Sequence, residues 1–201
     1  MLPRGSNDQR RYYLGEVMST EGTTFIDALF REQKELIAFL QQQGQLSYSQ
    51  SVEVFLSKTL LLSSASYFES RITNAISDYA ARVSKLDEAL TSLVRIKAIE
   101  RQYHTYFQWR EESRSVMPFF GMFGSALKDA AKQELKAKEL VQATDAFLKL
   151  GDLRNLLVHG NFATYTLEMT SDEIYNLYGA ALRFVTYVEN KLNPVPVAVV
   201  P

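Results

Sequence analysis

Three residues suited to acid–base and phosphate chemistry lie close together near the middle of the second half of the chain. They are Arg154, Asn155 and His159, and His159 is one of only two histidines in 201 residues. They interrupt a helical pattern that is otherwise apolar: Leu150, Leu153, Leu156 and Leu157. Polar groups cost free energy in an apolar setting, so packing alone does not favour them here. The chemistry that they suit best is metal-free cleavage of an RNA phosphodiester.

RNA carries its own nucleophile, the 2′-hydroxyl, so cleavage requires a base, an acid and positive charge on the phosphorane. His159 fits proton transfer because imidazole titrates near neutrality. Arg154 suits transition-state stabilisation, because its planar guanidinium group matches the geometry of phosphate oxygens and stays positively charged. Asn155 lies four residues before His159, on the same helix face, where its amide could orient the ring or the phosphate. Internal attack predicts 2′,3′-cyclic phosphate ends.

The spacing of Arg154 and His159 predicts a shared site between two copies of the chain. Residues five apart on a helix point ~140° away from each other, at ~100° per residue. A two-fold dimer with crossing helix ends would gather both pairs around one cleft. We therefore predict a composite site at a homodimer interface.

The same residues also admit a structural interpretation. A histidine before Gly160 at a helix C-terminus is favoured by the helix dipole and by capping. Arg154 could form a structural ion pair with Glu69, Asp152 or Glu173.

Lysines recur every fourth residue at Lys128, Lys132 and Lys136. They are candidate contacts to an RNA backbone. Acidic residues alternate with them, however, and this pattern is equally typical of an ordinary solvent-exposed helix face. The second histidine, His104, has no companion ligands at metal-binding spacing, and we expect it to be structural or at the surface. No glycine-rich phosphate loop or metal motif is present, so we predict no metal and no cofactor.

The sequence predicts helices almost throughout, because glycine and proline are scarce (9 and 5) and apolar residues recur at helical spacing. These helices must position the candidate residues. We predict an all-α, antiparallel bundle of about five to six helices. The predicted helices are Thr23–Gln43, Ser47 or Ser49 to Val83, Lys85–Trp109, Ser125–His159 with a bend, and Asp172–Leu192. We expect residues 117–124 to form a loop with buried phenylalanines, and Thr170 or Ser171 to cap the last helix.

These helices predict one domain over residues 21–192. Residues 1–20 are expected to be flexible or partly a protease-site remnant of an expression tag, and residues 193–201 to be a flexible tail. The 22 basic and 23 acidic residues balance, so RNA contact would require a local patch. The chain has no cysteine and no apolar run near the roughly 20 residues of a membrane span. We predict a cytoplasmic protein without membrane contact.

The stretch 150–162 (LGDLRNLLVHGNF) resembles the signature of HEPN domains, an all-helical superfamily marked by Arg, four to six residues, then His. The long second helix, with ASYFESRI at 65–72, is similar to the RiboL-PSP-HEPN branch of that superfamily. The resemblance covers most of the chain, from about Ser47 to Leu192.

The resemblance implies a dimeric, metal-independent endoribonuclease that acts as a toxin or an antiviral-defence effector. It implies that Arg154 and His159 are catalytic, that Asn155 supports them and that Glu69 holds the Arg or His of the site. RNA, a second copy, and an antitoxin or defence-system protein are the expected partners. Some toxin members carry Tyr two residues after the His, where this chain has Asn161. Because the superfamily includes inactive members, the alternative is a non-catalytic adaptor of the same fold.

Overall fold

The structure is a computed structural model that describes residues 23–194, and it is all-helical as predicted. Within this range there is no β-strand, and seven α-helices follow one another along the chain. They are α1 (Phe25–Gln42), α2 (Leu46–Val83), α3 (Glu88–Val94), α4 (Met117–Gly121), α5 (Ser125–Glu134), α6 (Lys138–His159) and α7 (Ser171–Leu192). The number exceeds the predicted five to six because residues 117–124 contain a short helix and the predicted helix 125–159 is broken at Leu135–Ala137.

Contacts divide the chain into two compact units, and the division falls inside α2, after Leu56. In the first unit, α1 begins with a capping box: the Thr24 hydroxyl accepts from the Asp27 amide, and the Asp27 carboxylate accepts from the Thr24 amide. Such a box satisfies backbone donors that a helix start leaves without partners. Lys34 and Glu53 form an ion pair at 3.6 Å within the same unit. The single domain over 21–192 stays a prediction.

The core of the second unit consists of aromatic side chains from α2, α6 and α7. The Phe68 ring stacks on Tyr178 with centroids 5.5 Å apart, and Phe147 lies 4.7 Å from Phe184 by the same measure. All four side chains are buried, and burial of this kind is the main favourable term in folding. The core thereby sets α6 beside α2, which brings the Arg154 end of α6 towards the middle of α2.

α7 returns along α6 after a short connection. It starts with a second capping box, in which the Thr170 hydroxyl accepts from the Glu173 amide and the Glu173 carboxylate accepts from the Thr170 amide. Thr170 is therefore the cap, one of the two predicted. On α2, Arg71 pairs with Glu189 of α7.

The predicted third helix, Lys85–Trp109, is wrong over most of its length. α3 begins at Glu88 with Asp87 as its cap, and after Val94 the chain forms a π-helical turn, Arg95–Ile99. Arg101 then has a φ of 61°, in the left-handed region, which an α-helix does not contain. Residues 100–116 instead form an irregular segment. Their aromatic side chains pack against partners in several directions, and the side chains on one face of a helix could not reach all of these partners. Tertiary packing outweighs the local helical pattern here.

The phenylalanines at 117–124 are buried in part, but Met117–Gly121 form the short helix α4 and not the predicted loop, with Pro118 in its first turn. Phe119 and Phe120 have no exposed surface, whereas Met122 is 47% exposed. Phe119 stacks on Phe107 of the irregular segment, with centroids 5.2 Å apart, so α4 supports that segment from one side.

The expected flexible segment 1–20 lies outside the described residues. Of the expected tail 193–201, only residues 193 and 194 are described, and the Asn193 side-chain amide donates to the Ala75 carbonyl of α2 at 2.8 Å. In the part that is described, no helix combines the length and apolar character that crossing a bilayer requires.

Candidate functional site

A cavity of about 250 Å³ lies in the second unit, between α2, the irregular segment and α6. This volume is just below the ~300–1,000 Å³ of typical ligand pockets. It is lined by Ala65 and Glu69 of α2, by Arg101, Tyr103, His104 and Trp109 of the irregular segment, and by Gly151, Arg154 and Asn155 of α6. Three of the four residues predicted to be catalytic or to support catalysis therefore line one cavity: Glu69, Arg154 and Asn155.

Arg154 is half-buried and its guanidinium donates to the Asn155 side-chain oxygen at 3.1 Å. Two of the carboxylates considered as its ion-pair partners are engaged elsewhere. Asp152 pairs with Arg114 at 3.0 Å, and the Glu173 carboxylate accepts from Thr170. Across residues 23–194 Arg154 makes no ion pair within 4.0 Å, so its charge is available to an anion in the cavity.

The charges of Glu69 and Arg154 both act on the pKa of Tyr103, a third residue of the cavity lining. Burial raises the pKa of the Tyr103 phenol, the negative charge of Glu69 raises that pKa further, and the positive charge of Arg154 opposes the rise. Burial and Glu69 likewise raise the pKa of Tyr106 to about 12. The Tyr103 phenol is therefore neutral near pH 7 and keeps its proton as a hydrogen-bond donor.

Trp109 closes one side of the cavity by lying directly against the backbone of α6. A Cβ built on Gly151 would be 2.1 Å from Cζ3 and 2.2 Å from Cε3 of the indole. Only glycine lets the ring approach this closely. The ring also contacts Phe147 at a centroid distance of 5.5 Å. The absence of a side chain at Gly151 thus allows the irregular segment to pack against α6 at the cavity.

Hydrogen bonds hold the irregular segment in this position. The Trp109 indole N–H donates to the His104 carbonyl at 3.1 Å. Gln108 and Ser115 exchange two backbone bonds of 2.9 and 3.0 Å, and Arg114 joins the segment to α6 through Asp152. These contacts replace the helical hydrogen bonds that the segment lacks.

The family follows from comparison of the whole sequence. A family model described as RiboL-PSP-HEPN matches residues 27–194. The chain belongs to the RiboL-PSP-HEPN family. This result confirms the resemblance read from the sequence, and the matched range contains every predicted site residue. No curated protein and no solved structure matches the chain significantly.

In this RiboL-PSP-HEPN domain, His159 lies apart from the cavity. It is the last residue of α6, it is exposed, and it does not line the cavity that Arg154 faces. His159 points ~140° away from Arg154, and it lies one helical turn beyond Asn155 at the end of α6. The apolar neighbours Leu156 and Val158 are each 50% exposed, and Phe162 is 37% exposed. One chain thus brings together Arg154, Asn155 and Glu69, but not His159.

The three candidate lysines also lie away from the cavity. Lys128 and Lys132 are exposed on α5. Lys136 follows the end of that helix, where its amine donates to Gln133 at 2.7 Å. Their role as RNA contacts stays a prediction.

Four residues of the irregular segment also line the cavity: Arg101, Tyr103, His104 and Trp109. In the sequence, the aromatic and basic stretch 101–110 could stack unpaired bases, although a helix packing against its neighbours fits it equally well. Sequence reasoning did not place this stretch beside Arg154. His104 was expected to be structural or at the surface, and it is exposed, but it faces the site. A clue to that placement is Gly151, a glycine within a leucine-rich helix, because such a glycine indicates close approach by another group. Within residues 23–194 no group of three or more His, Asp or Glu side chains could hold a metal ion.

Proposed function

We propose that this RiboL-PSP-HEPN protein is an endoribonuclease that needs no metal ion and leaves 2′,3′-cyclic phosphate ends. Its site lies at the interface of a homodimer. The observation that carries the proposal is the cavity in which Arg154 stands beside Asn155 and Glu69 with no ion pair among the described residues. A structural arginine would be neutralised by a carboxylate, since a half-buried charge without a partner is costly.

In the proposed reaction Arg154 binds the non-bridging oxygens of the scissile phosphate. Its charge is worth most as negative charge builds on the phosphorane. Asn155 accepts from the guanidinium and limits its rotation, and Glu69 faces the same cavity from α2. His159 takes the proton of the 2′-hydroxyl, the 2′-oxygen attacks phosphorus, and the bond to the 5′-oxygen breaks. Water is not required in this step, so the cyclic phosphate is the first product.

The dimer in this proposal supplies the histidine that one chain holds away from the cavity. His159 is exposed near Leu156, Val158 and Phe162 in the chain, and these three apolar side chains are exposed as well. A second copy that crosses α6 at this end would cover that surface. It would also bring its own His159 towards the Arg154 cavity.

The test is incubation of the purified protein with total cellular RNA in EDTA, followed by mapping of the fragment ends. We expect cleavage with cyclic phosphate ends by the unchanged protein, and loss of at least about 100-fold in Arg154→Ala and His159→Ala. Lys149→Ala is the matched control, because Lys149 is exposed on the same helix and does not line the cavity. Sedimentation of each variant shows whether the dimer survives.

Cleavage that persists in His159→Ala contradicts the assignment of the base. Absence of cleavage by every form of the protein contradicts the enzyme and favours the alternative, a non-catalytic adaptor in a toxin–antitoxin or antiviral-defence complex. If a monomer cleaves RNA as fast as the dimer, the active site does not require the homodimer interface, and that part of the proposal is contradicted.

A further inference from the structure

RNA cleavage by internal attack requires two proton transfers, and the proposed function assigns only one of them. His159 takes the proton from the 2′-hydroxyl, but the leaving 5′-oxygen also needs a proton. We propose that His104 is the acid that protonates the leaving 5′-oxygen, and that Arg101 is a second cation on the scissile phosphate. This inference rests on the proposed endoribonuclease activity.

The cavity contains both groups beside Arg154. His104 and Arg101 come from the irregular segment and line the same 250 Å³ as Arg154, Asn155 and Glu69. The charged side chains that face this space are Arg101, Arg154 and Glu69. Two permanent cations against one carboxylate leave a positive balance, which suits a phosphodiester. His104 belongs to the lining of this space, beside the position that a phosphate bound by Arg154 and Arg101 would take.

The position of His104 is fixed through its backbone rather than by packing of its ring. The indole N–H of Trp109 holds the His104 carbonyl at 3.1 Å, and the indole itself is held against Gly151. The imidazole is left exposed. Arg101 precedes it with a φ of 61°, a conformation that residues other than glycine adopt at a cost and that is common at functional sites.

The step is balanced without any other reactant. The 2′-oxygen forms a bond to phosphorus as its proton passes to His159. The bond from phosphorus to the 5′-oxygen breaks, and the imidazolium of His104 gives its proton to that oxygen. The products are a 2′,3′-cyclic phosphate, a free 5′-hydroxyl and one proton moved from His104 to His159 in net terms. Exchange with water restores both histidines.

A substrate whose leaving group needs no proton tests this role directly. The two substrates are a short RNA and uridine 3′-(4-nitrophenyl phosphate), from which nitrophenolate leaves unprotonated. We expect His104→Ala to cleave the RNA about 100-fold or more slowly and the nitrophenyl ester at nearly the unchanged rate. His159→Ala should lose both reactions. A structural role for His104 would slow both substrates equally in His104→Ala, and that result would overturn the proposal.

Two outcomes separate this inference from the proposed function. If the unchanged protein and His104→Ala cleave RNA at the same rate, His104 is not the acid, but the protein is still an endoribonuclease. If the unchanged protein cleaves neither substrate, the endoribonuclease itself is refuted, and the inference falls with it. Gln108→Ala serves as the control for the segment, because Gln108 is exposed and joins Ser115 through backbone atoms.

The second cation is tested by binding. Trp109 is the only tryptophan of the chain and it lines the cavity, so its fluorescence reports occupancy. The probe is a tetranucleotide with 2′-deoxyribose at the cleavage position, which lacks the nucleophile. We expect Arg101→Ala to weaken binding about tenfold, and Arg110→Ala, an exposed neighbour outside the cavity lining, to leave it unchanged. Equal affinity in Arg101→Ala would exclude Arg101 from the phosphate site.

Discussion

Replacement of Gly151 by alanine is the sharpest structural test of the site, because one methyl group decides whether Trp109 can lie on α6. The added Cβ would be 2.1 Å from Cζ3 of the indole, whereas carbon atoms in contact lie ~3.5–4.0 Å apart. The indole must therefore move by roughly 1.5 Å, and its hydrogen bond to the His104 carbonyl must break. Overpacking of this kind costs ~1–3 kcal/mol, and the lost hydrogen bond costs ~0.5–1.5 kcal/mol.

Alanine also favours a helix interior over glycine by about 1 kcal/mol, which offsets part of this cost. We expect Gly151→Ala to lower the free energy of unfolding by about 2 kcal/mol on balance. The matched control is Gly179→Ala in α7, where no atom lies within 4 Å of the new Cβ. That variant should gain about 1 kcal/mol.

The assay is urea unfolding followed by circular dichroism, with Trp109 fluorescence recorded in parallel. We expect the two variants to move in opposite directions, with midpoints separated by on the order of 1 M urea. The emission of Gly151→Ala should shift to the red as the indole meets water. A Gly151→Ala protein that is as stable as Gly179→Ala, with unchanged emission, would refute the packing described here and the placement of His104 that depends on it.

Two further predictions concern contacts that support the fold around the site. Arg114→Ala should lower the free energy of unfolding by about 1–2 kcal/mol, since it leaves the half-buried Asp152 carboxylate without its partner; denaturation of Arg114→Lys tests whether charge alone suffices. Glu134 has a pKa below its usual value because the Lys191 amine and the Tyr187 hydroxyl donate to it. This lowered pKa contributes stability above the unfolded pKa of about 4.3, and that contribution is lost as the pH falls through the lower folded value. Glu134→Gln should therefore have a lower urea midpoint than the unchanged protein at pH 7 and an equal one in acid, and a difference that persists in acid would contradict the assignment.

The sequence was sufficient for the helices whose apolar pattern is long and regular. α1, α2 and α7 begin and end within two or three residues of the predicted positions, because helical spacing and capping residues act locally. It was also sufficient to select Arg154 and Asn155, since polar side chains within an apolar helix face require a reason that packing does not provide.

Tertiary structure alone decided the path of residues 95–116. A helical pattern continues there in the sequence, but Phe107 and Trp109 gain more contact by packing on Phe119, Phe147 and the bare backbone at Gly151 than they would along one helix face. Such long-range contacts leave no periodic trace in the sequence.

For the same reason, the sequence could place Arg154 and His159 within one turn and a half of each other but could not find the histidine that shares the cavity with Arg154. Spacing along a helix is a local property, and it predicts the wide angle that separates His159 from Arg154. The approach of His104, fifty residues earlier in the chain, depends on the indole of Trp109 meeting a glycine of α6. Candidate residues could thus be selected by type from the sequence, whereas the packing of an irregular segment against two helices decided which residues line the cavity.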